Sequence, residues 1–222
     1  MENNSEKIKK AVVFDLDGTL LDTLPDIASN INETLSHFGE PPRTNDEVRK
    51  IIGSGAKVLV KDAFRRPLGE EEFNERFKYF CTLYASSSNP ETKMFSGMKE
   101  VLAELKKRGF LLFVVTNKPQ SATESVERTH FKDCDFDKIV GISDGVAPKP
   151  DPRATLKTLE EFGVKKENAY FVGDGDTDAM TAINAGIKGI SALWGYRDKE
   201  TLSKAGATMF ANSPSDLLDL IK

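Results

Sequence analysis

The chain has 222 residues, 39% hydrophobic and 30% charged, a balance that suits a globular protein with a full core. Its 31 basic and 35 acidic residues leave a formal charge of −4, which supplies no broad cationic surface for nucleic acid or anionic lipid and points instead to small-molecule partners. Cys81 and Cys134 stand far apart with no CxxC spacing, which argues against a disulfide framework or a thiolate metal site, and the polar MENNSEKIKK at positions 1–10 lacks the apolar run of a signal peptide. A cytoplasmic protein without a membrane partner is therefore expected.

The first apolar run, AVVFD (11–15), is followed by a long interval, about 24–90, with helical patterns and no strand pattern. PDIASNINETLSHFG, TNDEVRKIIG, GAKVLVKDAFRR and EEEFNERFKYFCTLYA fill it, punctuated by Pro41-Pro42 and SSSNPET (86–92). Beyond it, short β-rich runs return at 110–116, 138–142, 169–174 and 187–193, with a weaker one at 207–211. They alternate with helical stretches at 98–109, 121–130, 151–163 and 176–186. Runs that are nearly all apolar suit strands covered on both faces, and helices of this length between them imply right-handed crossovers. The expected fold is α/β, a doubly wound (Rossmann-like) parallel sheet core, 1–22 and 91–222, with a small α-helical cap domain at 23–90 inserted after the first strand. Ligands bind such sheets at the carboxyl edge of the strands, and the insertion falls beside it as a lid.

Two aspartates one residue apart close the first run. Side chains on an extended segment repeat every two residues, so Asp15 and Asp17 point the same way, and Gly18 permits a sharp exit. Such a pair repels unless a cation, a shared proton or a phosphate-bound metal compensates. The fourth β run ends in a second acidic cluster, Asp174, Asp176 and Asp178 in VGDGDTD. With only His37 and His130 in the chain, an all-oxygen site favours Mg²⁺ over Zn²⁺. The calcium-loop alternative fails, because its glycine position is Ala179 and its twelfth is Ala185. Thr116 and Asn117 in VVTNKPQ offer a hydroxyl and main-chain N–H groups at a helix entrance, and Lys149 sits between prolines in APKPDP. Four loops after strands thus carry paired carboxylates, a hydroxyl with amides, a lysine and a carboxylate cluster, the parts of a Mg²⁺-dependent phosphoryl-transfer site.

DLDGTLLDT, VVTNK, the lysine of APKPDP and VGDGDTD, in that order, resemble the four motifs of the haloacid dehalogenase (HAD) superfamily phosphatases, and the likeness runs from residue 11 onward. It implies that Asp15 is the nucleophile that forms an aspartyl-phosphate. Asp17 is then the acid that protonates the leaving oxygen and the base that later activates water. It further implies that Mg²⁺ is held by Asp15, the main-chain carbonyl of Asp17, Asp174 and Asp178, and that Gly18, Thr116, Asn117 and Lys149 surround the phosphoryl group. Gly175 departs from the pattern, since a serine or threonine often follows the first aspartate of this motif. Asp176 reads as a helix N-cap before a metal ligand, and Asp22 as a cap or hinge residue.

GSGAKVL (53–59) has neither the third glycine nor the preceding strand of a dinucleotide fingerprint. It reads either as a loop opening a helix or as a lid loop in which Ser54, Gly55 and Lys57, or the nearby Arg65 and Arg66, meet the distal part of the substrate. Trp194 and Tyr196 in WGYRD read as packing residues at the rim. IIGSGAKVLVKDAF, ALWGYRD, AGAT and SPSDLLDLI are similar to the phosphoglycolate phosphatase branch, which implies hydrolysis of 2-phosphoglycolate. Pyrophosphate, sugar phosphates, nucleotides and phosphosugar mutation are the alternatives within the superfamily. A phosphate-dependent regulatory module without turnover is the alternative outside it.

Overall fold

The computed structural model describes residues 8–222, so the first seven residues of the polar lead-in lie outside the described residues. Six strands form the main sheet: β1 (Lys10–Phe14), β4 (Phe110–Pro119), β5 (Lys138–Ile142), β6 (Ala169–Gly173), β7 (Lys188–Ala192) and β8 (Phe210–Ala211). Their order is β5-β4-β1-β6-β7-β8, and every pairing is parallel. β1 is central, with Val12 level with Leu112 on one side and Tyr170 on the other. Covering both faces requires side chains of both parities to be apolar, and they are. Val12, Phe14, Leu112 and Val114 pack against Met98, Val101, Leu102 and Leu105 of α5 (Met98–Lys107), while Ala11, Val13, Phe113 and Val115 meet Leu159 of α7 (Arg153–Glu161) and Ala182 of α8 (Asp176–Ala185). The doubly wound sheet expected from the sequence is present.

Four helices occupy the interval between β1 and the rest of the sheet: α1 (Leu24–His37), α2 (Asn45–Ile51), α3 (Ala56–Ala63) and α4 (Glu70–Ser86). Their apolar faces close on one another through Ile27, Ile31, Leu35, Val48, Val60 and Phe80, a core separate from those of the sheet. Local chemistry explains the helix starts. Pro25 lies in the first turn of α1, and Thr44 and Glu47 form a reciprocal capping box at α2. The chain leaves and re-enters the sheet through a two-stranded antiparallel ribbon, β2 (Leu21–Asp22) with β3 (Lys93–Met94), which has too few residues to show a periodicity in sequence. Buried Asp26 of α1 ties the returning strand down by accepting hydrogen bonds from Thr92 N (2.7 Å) and Thr92 Oγ1 (2.6 Å).

Two other departures from the expectation are local. β4 continues to Pro119, with an irregular register between Val115 and Pro119, and α6 (Gln120–His130) begins only after it. Thr116 and Asn117 are therefore strand residues at a bulge rather than the entrance of a helix. The C-terminal helices α9 (Lys199–Lys204) and α10 (Leu217–Leu220) are too short for a clear helical period. Among the described residues no helix is long and apolar enough to cross a membrane, and both cysteines are free.

Candidate active site

Three strands and one loop converge where the sheet order places β1 between β4 and β6. Asp15 follows β1 directly, and its N–H donates to Val172 O of β6 at 2.9 Å, so the ladder itself delivers the carboxylate to the sheet edge. Asp174 follows β6, Thr116, Asn117 and Lys118 lie at the β4 bulge, and Lys149 is carried by the loop after β5. Carboxylate oxygens of Asp15, Asp174 and Asp178 all lie within 4.8 Å of one another, and all three residues are buried.

Lys149 binds this cluster together. Its Nζ is 2.7 Å from Asp15 Oδ1 and 2.6 Å from Asp178 Oδ1, in surroundings with almost no solvent. The other oxygen of Asp178 accepts from Gly175 N at 2.8 Å, so Asp178 caps the start of α8 while it orients the lysine. Asp174 accepts from Thr19 Oγ1 (2.8 Å) and from Tyr196 N (2.7 Å). Gly18 has φ +87°, and a Cβ there would run into the Asp174 carboxylate, as would one on Gly195. Two main-chain segments thus press against Asp174 at positions where a side chain has no room.

The electrostatics are those of negative charge held away from water. Burial, then the neighbouring charge of Asp178, pushes Asp15 up to about 7 against the opposing pull of Lys149. Burial, then Asp178 and Asp15, pushes Asp174 up to about 8. Burial works against the Lys149 ammonium, yet Asp15 and Asp178 outweigh it and hold its pKa above the usual lysine range. Asp15 Oδ1 has Lys149 nearby but no aligned hydrogen-bond donor among the described residues. Three converging carboxylates, one of them with an oxygen free of hydrogen bonds, form an oxygen-only donor set that fits a hard divalent cation.

A pH dependence follows. Because the native pKa values of Asp15 and Asp174 lie above the unfolded carboxylate value of about 4, the native state holds more protons than the unfolded state in between. The cation-free protein therefore loses stability as pH rises from about 4 through 7 and 8, and a divalent cation, which replaces those protons, binds more tightly over the same rise. Thermal unfolding at pH 6 and pH 8.5, with and without cation, should give the larger cation-induced rise in Tm at pH 8.5. An equal increment at both pH values would contradict the cluster as its binding site.

The remaining expected residues separate into those the fold brings to the site and those it does not. Asp17 faces the same cavity as Asp15, but its Oδ1 is held by Lys118 Nζ at 2.9 Å, a buried lysine that local sequence does not single out because its partners lie far away along the chain. The Thr116 hydroxyl accepts from Lys118 N at 3.2 Å and keeps its own proton to donate. The Asn117 side chain is already committed: Nδ2 donates to Gly53 O (3.0 Å) and Lys149 O (3.1 Å), and Oδ1 accepts from Lys149 N (2.7 Å). It positions the lysine loop and the helical insertion instead of offering donors to an anion. Gly18 N is likewise used, donating to Leu21 O at 2.8 Å.

In the insertion, Gly55 lines the cavity beside Gly53, but Ser54 and Lys57 are exposed and are not part of its wall, with Lys57 lying over the Phe77 ring. Arg65 pairs with Glu47, and Arg66 with Glu40 and Glu72, which removes both from the site. Asp176 is the first residue of α8 rather than its cap, which is Gly175. Tyr196 does more than pack. Its hydroxyl accepts from Thr23 N and Leu24 N, each at 2.9 Å, and lies 3.2 Å from Asp22 Oδ1, so it joins the Asp174 loop to the start of α1. Asp22 Oδ1 also accepts a long hydrogen bond from Leu24 N, which makes it a hinge and helix-start residue.

Residues 12–192 match the haloacid dehalogenase-like hydrolase family, and the chain belongs to it. The chain is 36% identical over 216 residues to the phosphoglycolate phosphatase of Aquifex aeolicus (strain VF5), with 96% of each chain covered. It is 32% identical over 217 residues to phosphoglycolate phosphatase 1 of Pseudomonas aeruginosa, covering 96% of this chain and 79% of that one. The crystal structure of "a predicted phosphoglycolate phosphatase" from Haemophilus somnus 129pt superposes with a TM-score of 0.88 at 28% identity, covering 96% and 98% of the two chains.

Proposed function

We propose that this hydrolase is a Mg²⁺-dependent phosphatase of 2-phosphoglycolate that works through an aspartyl-phosphate on Asp15, with residues 23–90 as its cap and the remainder as its catalytic core. The observation that carries the reading is the buried ammonium of Lys149 shared between Asp15 and Asp178. It fixes a carboxylate next to a site of positive charge, which is what attack on an anionic phosphoryl group requires. The names and near full-length coverage of the relatives support the substrate.

In the first step an oxygen of Asp15 attacks phosphorus, the phosphorus–ester oxygen bond breaks, and the leaving oxygen takes the proton of Asp17, releasing glycolate. In the second step Asp17 takes a proton from water as the water oxygen attacks phosphorus. The bond from phosphorus to Asp15 breaks and inorganic phosphate departs, leaving Asp17 protonated for the next cycle. Thr116 Oγ1 and Lys149 Nζ stabilise the charge on the equatorial oxygens. Asp15, the Asp17 carbonyl, Asp174 and Asp178 would hold Mg²⁺, which supplies further charge neutralisation at the phosphoryl group when bound. The cavity is walled by Ile27, Ile52 and Leu59 from the insertion and limits water around the reacting atoms.

The test is Mg²⁺-dependent phosphate release from 2-phosphoglycolate, pyrophosphate, hexose phosphates, nucleotides and p-nitrophenyl phosphate. A clear preference in kcat/KM for 2-phosphoglycolate is expected. Preference for another compound would retain the chemistry and replace the substrate, and release from none of them would refute the phosphatase reading.

A further inference from the structure

Two buried lysines divide the two aspartates of the first motif between them. Lys149 pairs with Asp15, the proposed nucleophile, and Lys118 pairs with Asp17, the proposed proton donor to the departing ester oxygen. Among the described residues lining the cavity, Lys118 is the one cation. It is 4% exposed, and its Nζ also hydrogen-bonds Tyr84 OH of α4 while lying over that ring. The nearby insertion wall is apolar apart from this hydroxyl, and the arginines and lysine of the cap that were expected to meet a substrate point elsewhere.

An ammonium this deep is costly to bury unless it is paired. With the cavity empty its charge partner is Asp17. When Asp17 gives its proton to a leaving oxygen, that oxygen must sit within hydrogen-bond reach of the carboxyl group, which brings the carbon next to it toward Lys118. A neutral leaving group would offer the ammonium nothing there. An anionic group attached to that carbon would draw it from Asp17 and free the carboxyl group to act.

Resting on the phosphatase reading above, we propose that Lys118, with Tyr84 as its support, is the specificity-determining cation of this enzyme. It binds a carboxylate carried on the carbon adjacent to the phosphate ester, and specificity for such substrates comes from the core strand β4 rather than from a charged cap residue. The bond is an ion pair to a lysine that is itself almost fully buried, so truncating it should be felt in binding of the carboxylate and far less by substrates that lack one.

The experiment compares 2-phosphoglycolate with its neutral counterpart 2-hydroxyethyl phosphate. In the wild type the ratio of kcat/KM values should favour the carboxylate by roughly 100-fold, and Lys118→Met should bring that ratio to within about threefold of unity, whatever loss the two substrates share. Lys118→Gln, which keeps a donor toward Asp17, should collapse the ratio equally, so misfolding of one variant does not decide the matter. Binding of both compounds to Asp15→Asn by calorimetry, with and without the Lys118 substitution, removes turnover from the comparison. Carboxylate preference in binding that vanishes with Lys118, beside a wild type that releases no phosphate, would refute the phosphatase reading and support the lysine's role. A wild-type ratio near unity, or a ratio that survives both substitutions, would overturn the role of Lys118 and leave the phosphatase intact.

Discussion

Asp15→Asn is expected to lower phosphate release by roughly 10⁴-fold or more while leaving the fold in place, because the change removes the attacking charge and keeps the shape of the side chain. Asp15 is nearly fully buried against Lys149, so the amide occupies the same space. The variant should also be more stable than the wild type without cation at pH 8, where the native carboxyl group, raised to about 7, has been forced to ionise beside Asp178. At pH 5, only about one unit above the unfolded carboxyl value, the gain should be much smaller, and it vanishes below about pH 4, where the native and unfolded carboxyl groups are both protonated. For a chain of this length, each kcal/mol recovered corresponds to about 2–4 °C in Tm. Phosphate release and thermal unfolding at both pH values check the two halves separately. Activity within about a tenth of wild type would place the nucleophile elsewhere.

Lys149→Met is the second large effect, and it acts on stability as strongly as on rate. The ammonium is the shared partner of two buried carboxylates, and removing it leaves them facing each other across a water-poor gap. Breaking a buried pair by deleting one member costs about 3–5 kcal/mol, which for this chain is roughly a 10 °C fall in Tm. The fall should be largest at pH 8 without cation and smaller at pH 6, where Asp15 and Asp174 carry more protons, and added Mg²⁺ should recover part of it. Turnover with saturating Mg²⁺ should drop by about 10²–10³-fold through loss of charge stabilisation. A variant as stable as the wild type at pH 8, or one that turns over normally, would show that the three aspartates tolerate one another without the lysine.

The readings that the sequence carried best were local ones. AVVF followed by Asp15 and Asp17 announces a doubly covered strand ending in carboxylates, since burial on both faces requires an unbroken apolar run, and that run is β1. The four helices between Leu24 and Ser86 were legible for the same reason, each from its own spacing and caps. The four chemical motifs could be named in order because each lies at or beyond the carboxyl end of its own apolar run.

What side chains do across the sheet was decided only by tertiary packing. The bulge after Val115 breaks the alternation of β4 and turns Thr116, Asn117 and Lys118 toward one region, where Asn117 is used up by Gly53 and Lys149. Lys118 acquires its meaning from Asp17 and from Tyr84 on α4, partners 101 and 34 residues away. Tyr196 acquires its own from Asp174 and from the start of α1. Lys57, Arg65 and Arg66 are as cationic as Lys118 in the sequence, yet helix packing turns them outward or onto Glu40, Glu47 and Glu72. Periodicity assigns a residue to a face of its own element, whereas the partner that the face meets depends on strand order, crossover and bulge, which are long-range properties of the folded chain.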